Sequence, residues 1–345
     1  MATNARSVRR RPVLVEMHPA CDGHDPGRGH PERPGRLDAV RRGLETAYRS
    51  EMARAVTPRP ATRSEVTRVH DADLVDALEK FCRAGGGRID ADTAANGLSW
   101  DAALVAAGAG LDAAERLRDG QADAAFIAVR PPGHHATPGR AMGFCLLNNV
   151  AITAAALADQ GERVLIVDFD AHHGNGTQDA FYSDGRVVYV SLHEWPQYPG
   201  TGWVDEVGEG PGEGATVNIP VPAGTTGDRY LAALDEVIAP VSERHRPTWL
   251  IISAGFDGHR ADPLTDLGLS SGDFADITAR LCELVPPGRR LVVLEGGYDL
   301  DALARSTEAC VAALAGETVH PERLTGGGPG REMVENARRI HVGTG

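Results

Sequence analysis

Residues 166–176 read IVDFDAHHGNG, an apolar run that delivers two aspartates, two histidines and an asparagine in quick succession. A carboxylate without a partner is costly wherever a strand end is buried, and a metal ion converts that cost into ligation. Asp168, Asp170 and His172 share parity, so in extended chain they project to one side. Asp170 and His172 can then grip one ion, and Asp257 of SAGFDGH completes three protein ligands. Three ligands leave a coordination position for water or substrate, the pattern of catalytic rather than structural zinc. Two carboxylates and one imidazole also suit Fe(II), Mn(II) or Co(II), so residue types alone do not select the element. The plainer account is that these Asp and His residues cap helices and fill salt bridges.

That account weakens at the other strand ends. FIAV runs into RPPGHH and supplies His134 and His135; LIIS runs into AGFDGH and supplies Asp257; VVLE runs into GGYD and supplies Tyr298. In open α/β sheets ligands bind beyond the carboxyl ends of the strands, so these groups point at one shared edge. Pro131, Pro132 and Gly133 permit a turn that brings both histidine rings to the site. Imidazoles beside a metal-activated water suit general base and general acid work. Each ring needs a partner to fix its tautomer, and Asp168 and Asn175 are available. Tyr298 follows two glycines, and a phenol aimed at the metal would stabilise an oxyanion.

The elements that must position these groups alternate along the chain. Strands are expected at 13–15, 124–129, 164–169, 187–192, 215–221, 249–253 and 290–295, with helices at 99–120, 148–161, 228–244, 271–285 and 299–316. The 99–120 segment carries Asp101 in its first turn and ends with Arg116, Arg118 and Gly120, matching the helix dipole and a glycine stop. The alternation predicts a single-domain α/β fold, a largely parallel, doubly wound sheet with helices on both faces. The expected domain spans 12–318, with 1–11 and 319–345 as terminal extensions that are in part disordered. GEGPGEG at 208–214 lacks the strand-to-helix setting of a phosphate loop and is read as a plain connection. The tetrapeptide HPER occurs at 30–33 and 320–323 and is treated as coincidence.

Composition excludes other classes. Hydrophobic content of 42% and charged content of 24% fit a soluble globular protein. A net charge of -13 argues against nucleic acid binding, and no stretch approaches a membrane span. The five cysteines are scattered without a CxxC pair, which argues for a reducing compartment. The basic start is followed by an apolar run too short for a signal-peptide core, so a cytoplasmic location is expected.

The stretches RPPGHHA, GFCLLNNVAI, DFDAHHGNGTQ, VSLHEWPQYPGTG, ISAGFDGHRADPL and LEGGYD, in that order, closely resemble the histone deacetylase family, particularly its class II and bacterial amidohydrolase members. The likeness runs from about residue 18 to 316. It implies the arginase–deacetylase fold, one catalytic zinc (with Fe2+ or Co2+ as substitutes) and hydrolysis of an N-acyl amide, commonly an acetyl amide. By motif position it places the zinc on Asp170, His172 and Asp257, the tandem pair on His134 with Asp168 and His135 with Asn175, and the oxyanion donor on Tyr298. Asn175 stands where class I members have aspartate, which leaves His135 less basic.

The resemblance also implies a substrate tunnel walled by Gly143 and Phe144 on one side and Tyr198 on the other, with Gly296 and Gly297 beside it. Structural potassium is implied near Asp168, Asp170, His172, Ser191 and Leu192, and again near Phe181, Asp184 and Val187. Leu264 occupies the position where polyamine-selective relatives carry glutamate, which leans toward acyl-lysine or other acyl-amine substrates. The long loop with His18, His24 and His30 is expected to border the mouth, with Asp92 as a rim residue. The expected partner is a peptide or small acyl-amine, with no membrane association. Two other functions share the residues: a dimanganese ureohydrolase, needing further bridging carboxylates such as Asp262, and a non-catalytic acyl-group binder.

Overall fold

All seven expected apolar runs form strands. The computed structural model describes residues 11–343. The strands are β1 (Val13–Glu16), β2 (Ala53–Val56), β3 (Gly86–Arg88), β4 (Ala94–Asn96), β5 (Ala125–Ile127), β6 (Val164–Asp168), β7 (Val187–Glu194), β8 (Thr216–Val221), β9 (Trp249–Ala254) and β10 (Arg290–Leu294). Eight make one sheet in the order β2-β1-β5-β10-β9-β6-β7-β8, while β3 and β4 form a separate hairpin. Every pairing in the large sheet is parallel. The strands β5, β6, β7, β8 and β9 are buried throughout, as a sheet covered on both faces requires.

The longer helices are α2 (Gly35–Arg49), α4 (Ala72–Arg83), α5 (Ser99–Arg118), α6 (Asn149–Ala158), α10 (Ser271–Cys282), α11 (Leu300–Leu314) and α12 (Arg331–His341). The shorter ones are α1 (Ala20–Gly23), α3 (Arg63–Val66), α7 (Asn175–Phe181), α8 (Gly227–Ala233) and α9 (Ala239–His245). Helices α5 and α6 pack on β5, β6, β9 and β10, whereas α2, α11 and α10 pack on one another as a separate layer. Gly43 lets α2 cross α11 closely: a methyl there would lie 2.2 Å from the Ala304 carbonyl. The helix expected at 228–244 is continuous over 227–245 but contains a π turn, Leu234–Ile238. Pro240 explains it, since proline lacks an N–H and its ring clashes with the carbonyl four residues back.

Two features lie beyond the expected elements. The C-terminal extension at 319–345, expected to be in part disordered, carries α12, which packs on β8 and α8 and buries Val334, Ala337 and His341. The strand β2, the β3–β4 hairpin and α2, α4 and α7 were not anticipated. The proposed 1–11 extension lies almost wholly outside the described residues. Among these, no helix is long and apolar enough to cross a membrane.

Candidate active site

The central strands stop level with one another. Asp168 of β6 pairs with Ser253 of β9, Ser253 with Val293 of β10, and Val293 with Ile127 of β5. Four loops therefore leave the sheet at one height, and they carry the four groups picked out by chemistry.

The metal-ligand candidates meet. One donor atom from each of Asp170, His172 and Asp257 lies within 4.8 Å of the others. His172 Nδ1 stands 3.1 Å from Asp170 Oδ1 and 3.0 Å from Asp257 Oδ2. The outer oxygens are already engaged: Gly296 N donates to Asp170 Oδ2 at 2.8 Å and Ala171 N to Asp257 Oδ1 at 2.9 Å. Parity in extended chain is not what aligns them, because β6 ends at Asp168. The chain then curls, with Asp170 N donating to Asp168 Oδ1 and His172 N to Asp170 Oδ1. Glycines make room for the group, since a methyl on Gly255 would lie 1.9 Å from Asp170 Oδ2 and one on Gly296 would lie 2.3 Å from Asp257 Oδ2.

Electrostatics favour a cation here. Burial raises the Asp257 carboxyl, and the nearby Asp170 charge raises it further. Burial opposes a charged His172, yet hydrogen bonds to Asp170 and Asp257 and their charges push the imidazole well above its usual range. Two buried carboxylates and an imidazole fit a divalent ion with an open position. Among the described residues this is the one such group of three.

The tandem histidines are held differently. His134 Nδ1 donates to Asp168 Oδ2 at 3.1 Å, and His135 Nδ1 to Asn175 Oδ1 at 2.9 Å. Their ring centroids are 4.0 Å apart, and His134 Nε2 is 3.8 Å from Asp170 Oδ2. Burial alone would lower His134, but the Asp170 and Asp168 charges outweigh it and push the ring up to about 10. Burial, then the positive charge of His134 and His172, hold His135 well below its usual value. Tyr298 is fixed by its backbone N–H, which donates to Asp262 Oδ2 at 2.7 Å. Its ring meets Phe144 edge-on at 5.8 Å and lies 5.0 Å from the Arg36 guanidinium.

The residues expected to wall a tunnel lie near this group. Gly143 adopts φ +57°, and a methyl there would lie 2.5 Å from the His135 ring. Tyr198 stands edge-on to His135 at 5.1 Å and lies 6.4 Å from His172. Leu264 is beside it, its carbonyl accepting from Gln197 Nε2 at 3.4 Å. Gly297 O accepts from Arg36 Nε at 2.7 Å. At the rim, His30 packs against Phe144 at 4.7 Å and its Nε2 reaches the Asp92 carbonyl at 2.9 Å. The Asp92 carboxylate accepts from Thr93 Oγ1, and Thr93 Oγ1 in turn accepts from Phe144 N.

One rim expectation fails: His24 is buried rather than at the mouth, bonded to Ser99 Oγ and 3.2 Å from Glu32. His18 is half-buried, its Nδ1 accepting from Ala20 N. At the first cluster expected to hold potassium, Ser191 pairs with Asp168 across β6 and β7, and the Leu192 carbonyl accepts from Tyr230. At the second, Asp184 N donates to Phe181 O and Val187 N to Asp184 O, while Arg186 holds the Asp184 carboxylate.

Several supporting residues were missed. Glu295, at the end of β10, accepts from Gly133 N at 2.6 Å, His134 N at 3.2 Å and Ser253 Oγ at 3.2 Å, so it seats the histidine turn. Burial pushes Glu295 up to about 7. Glu32 joins Arg130 and Arg36, both fully buried, and Arg36 continues to the carbonyls of Glu295 and Gly297. For Glu295 and Arg130 the signal was a charge at the end of an apolar run, whereas Glu32 lies in a polar loop without one.

A parallel α/β sheet of eight strands, with a buried Asp–His–Asp donor group at the carboxyl ends of its central strands, is the arginase–deacetylase architecture. The family model for the histone deacetylase domain matches residues 30–314. A probable deacetylase of Archaeoglobus fulgidus is 43% identical over 88% of this chain and 86% of that protein. Histone deacetylase 15 of Arabidopsis thaliana is 42% identical over 85% of this chain, which spans 54% of that longer protein. The crystal structure of the HDA15 HD domain superposes with a TM-score of 0.89 at 37% identity, covering 96% of this chain and 94% of that one. The chain belongs to the histone deacetylase family.

Proposed function

We propose that this protein is a zinc-dependent amidohydrolase that removes an acyl group, in the first place acetyl, from an N-acylated amine such as acetyl-lysine. The observation that carries this is the meeting of a buried cation-favouring donor group with two separately held imidazoles and a buried phenol at one sheet edge. Asp170, His172 and Asp257 would hold the metal. A bound divalent cation supplies Lewis-acid polarisation of the amide carbonyl and a lowered pKa for water.

The chain's own groups do the rest. His135, neutral beside Asn175, accepts the proton of the attacking water as the new C–O bond forms and returns it to the amide nitrogen as the C–N bond breaks, so that a carboxylic acid and a free amine are released. His134, held by the Asp168 carboxylate, keeps positive charge near the developing intermediate. The Tyr298 hydroxyl donates to the oxyanion. Gly143, Phe144 and Tyr198 guide the acylated arm, with apolar Leu264 beside them, and Asp92 serves the rim. Potassium at the two clusters is a structural element of the same proposal, as is a peptide or small acyl-amine partner.

A dimanganese ureohydrolase is disfavoured by the use of Asp262, whose carboxylate is occupied by the backbone N–H groups of Leu264, Tyr298 and Asp299. A mere acyl-group binder needs neither imidazole. The deciding experiment is a screen of acylated lysines, acetylated polyamines and small amides against zinc-loaded protein, reading released carboxylate. Release from acyl-lysines is expected; binding without release across the panel would overturn the proposal.

A further inference from the structure

The two HPER tetrapeptides use their glutamates alike. Glu32 gathers Arg36, Arg130 and His24. Glu322 gathers His259, Arg260 and Arg305. The second cluster lies outside the candidate site but grips the loop that carries Asp257. His259 is 1% exposed, and its Nδ1 accepts from Ala261 N at 3.1 Å. The proton of that ring therefore sits on Nε2, which donates to Glu322 Oε2 at 2.6 Å. The same oxygen accepts from Ser271 N and Ser271 Oγ at the start of α10. The segment is tightly seated there: a methyl on Gly272 would lie 2.3 Å from the Glu322 carbonyl.

His259 sits at the centre of a turn with chemistry at each end. Its N–H donates to Phe256 O, and its carbonyl accepts from Asp262 N at 2.8 Å. On one side is Asp257, and on the other Asp262, which holds the Tyr298 backbone. We infer that Glu322 is a positioning residue for the reaction: through His259 the C-terminal segment sets the loop that aims both Asp257 and Tyr298. This rests on the roles proposed above for those two residues.

The test compares Glu322→Ala, Glu322→Gln and Arg331→Ala in the full chain. The readouts are zinc affinity by chelator competition, melting temperature, and kcat and KM for acetyl-lysine. Loss of a direct outer partner of a metal ligand costs about 10–100-fold; Glu322 acts one contact further out, through His259, so Glu322→Ala should bind zinc and turn over less well by the lower end of that range, about tenfold, with KM within about twofold. The amide oxygen of Glu322→Gln still accepts from His259 and should restore both values to within about threefold. Arg331→Ala breaks pairs to Glu236 and Glu335 that do not reach the loop, so it should lower melting temperature and leave zinc affinity unchanged. Should Glu322→Ala not fold, Glu322→Asp, one methylene too short for His259, takes its place with the same expectation. Zinc affinity and kcat within about twofold of the unaltered chain would overturn the proposal, as would an equal loss in Arg331→Ala. An unaltered chain that binds zinc yet releases no acid defeats the deacylase assignment alone, because the zinc comparison still decides the role of Glu322.

Discussion

Tyr298 is held as a donor ought to be held. Burial pushes its phenol well above the usual range, even though Arg36 pulls the other way, so the hydroxyl keeps its proton. Its backbone is pinned by Asp262 and its ring by Phe144 and Arg36, which leaves little freedom to lose on reaching a transition state. Tyr298→Phe removes the oxygen and keeps every one of those contacts. Removing one oxyanion donor costs about 10²–10³ in rate, so kcat should fall at least about a hundredfold while binding of an acetyl-lysine peptide is retained. Turnover close to that of the unaltered enzyme in a fluorogenic acetyl-lysine assay would take Tyr298 out of the mechanism.

Among the elements, β1 carries an unusual cost. Its last residue, Glu16, is 0% exposed, and neither carboxylate oxygen has a hydrogen-bond partner. The nearest cation, Arg116 Nε, stands 3.5 Å away and is itself bonded to Asp112 at 2.6 Å. Burial, then the Asp112 charge, push Glu16 from 4.5 up to about 8, with Arg116 pulling back. Between those values the folded state holds a proton that the unfolded state has released, so stability falls as pH rises through that window. Glu16→Gln should flatten this slope and, above about pH 8, be more stable than the unaltered chain by about 1–3 kcal/mol in urea unfolding. Parallel pH slopes for the two chains would contradict the assignment. The same physics decided which elements were legible. Apolar runs such as 164–168 and 249–254 announce strands buried on both faces. In contrast, α2 and α12 are amphipathic helices whose few apolar residues are scattered among charged ones such as Arg42 and Arg338, so a search for apolar runs passes over them. The reactive side chains could be read because their types are rare in such patterns. Glu295 and Asp262 act by accepting backbone N–H groups, and those partners leave no mark in the sequence.

For the whole molecule, ligation should register as stability. A metal that binds only the folded chain stabilises it by about 2.7 kcal/mol at a hundredfold excess over its dissociation constant. Zinc should therefore raise the melting temperature and a chelator reverse it, with the effect abolished in Asp257→Ala; a melting temperature indifferent to both would speak against a resident ion. The order of the strands has a consequence for biosynthesis. β9 and β10 emerge last among the sheet strands, yet they lie between β5 and β6 at its centre. Until β9 emerges, the growing polypeptide can assemble only a β2-β1-β5 fragment and a β6-β7-β8 fragment, each ending in an apolar strand with unpaired amides; β9 then extends the second, and the gap closes only with β10. Such rims invite pairing with other chains until the finished polypeptide seals the gap with its own last strands.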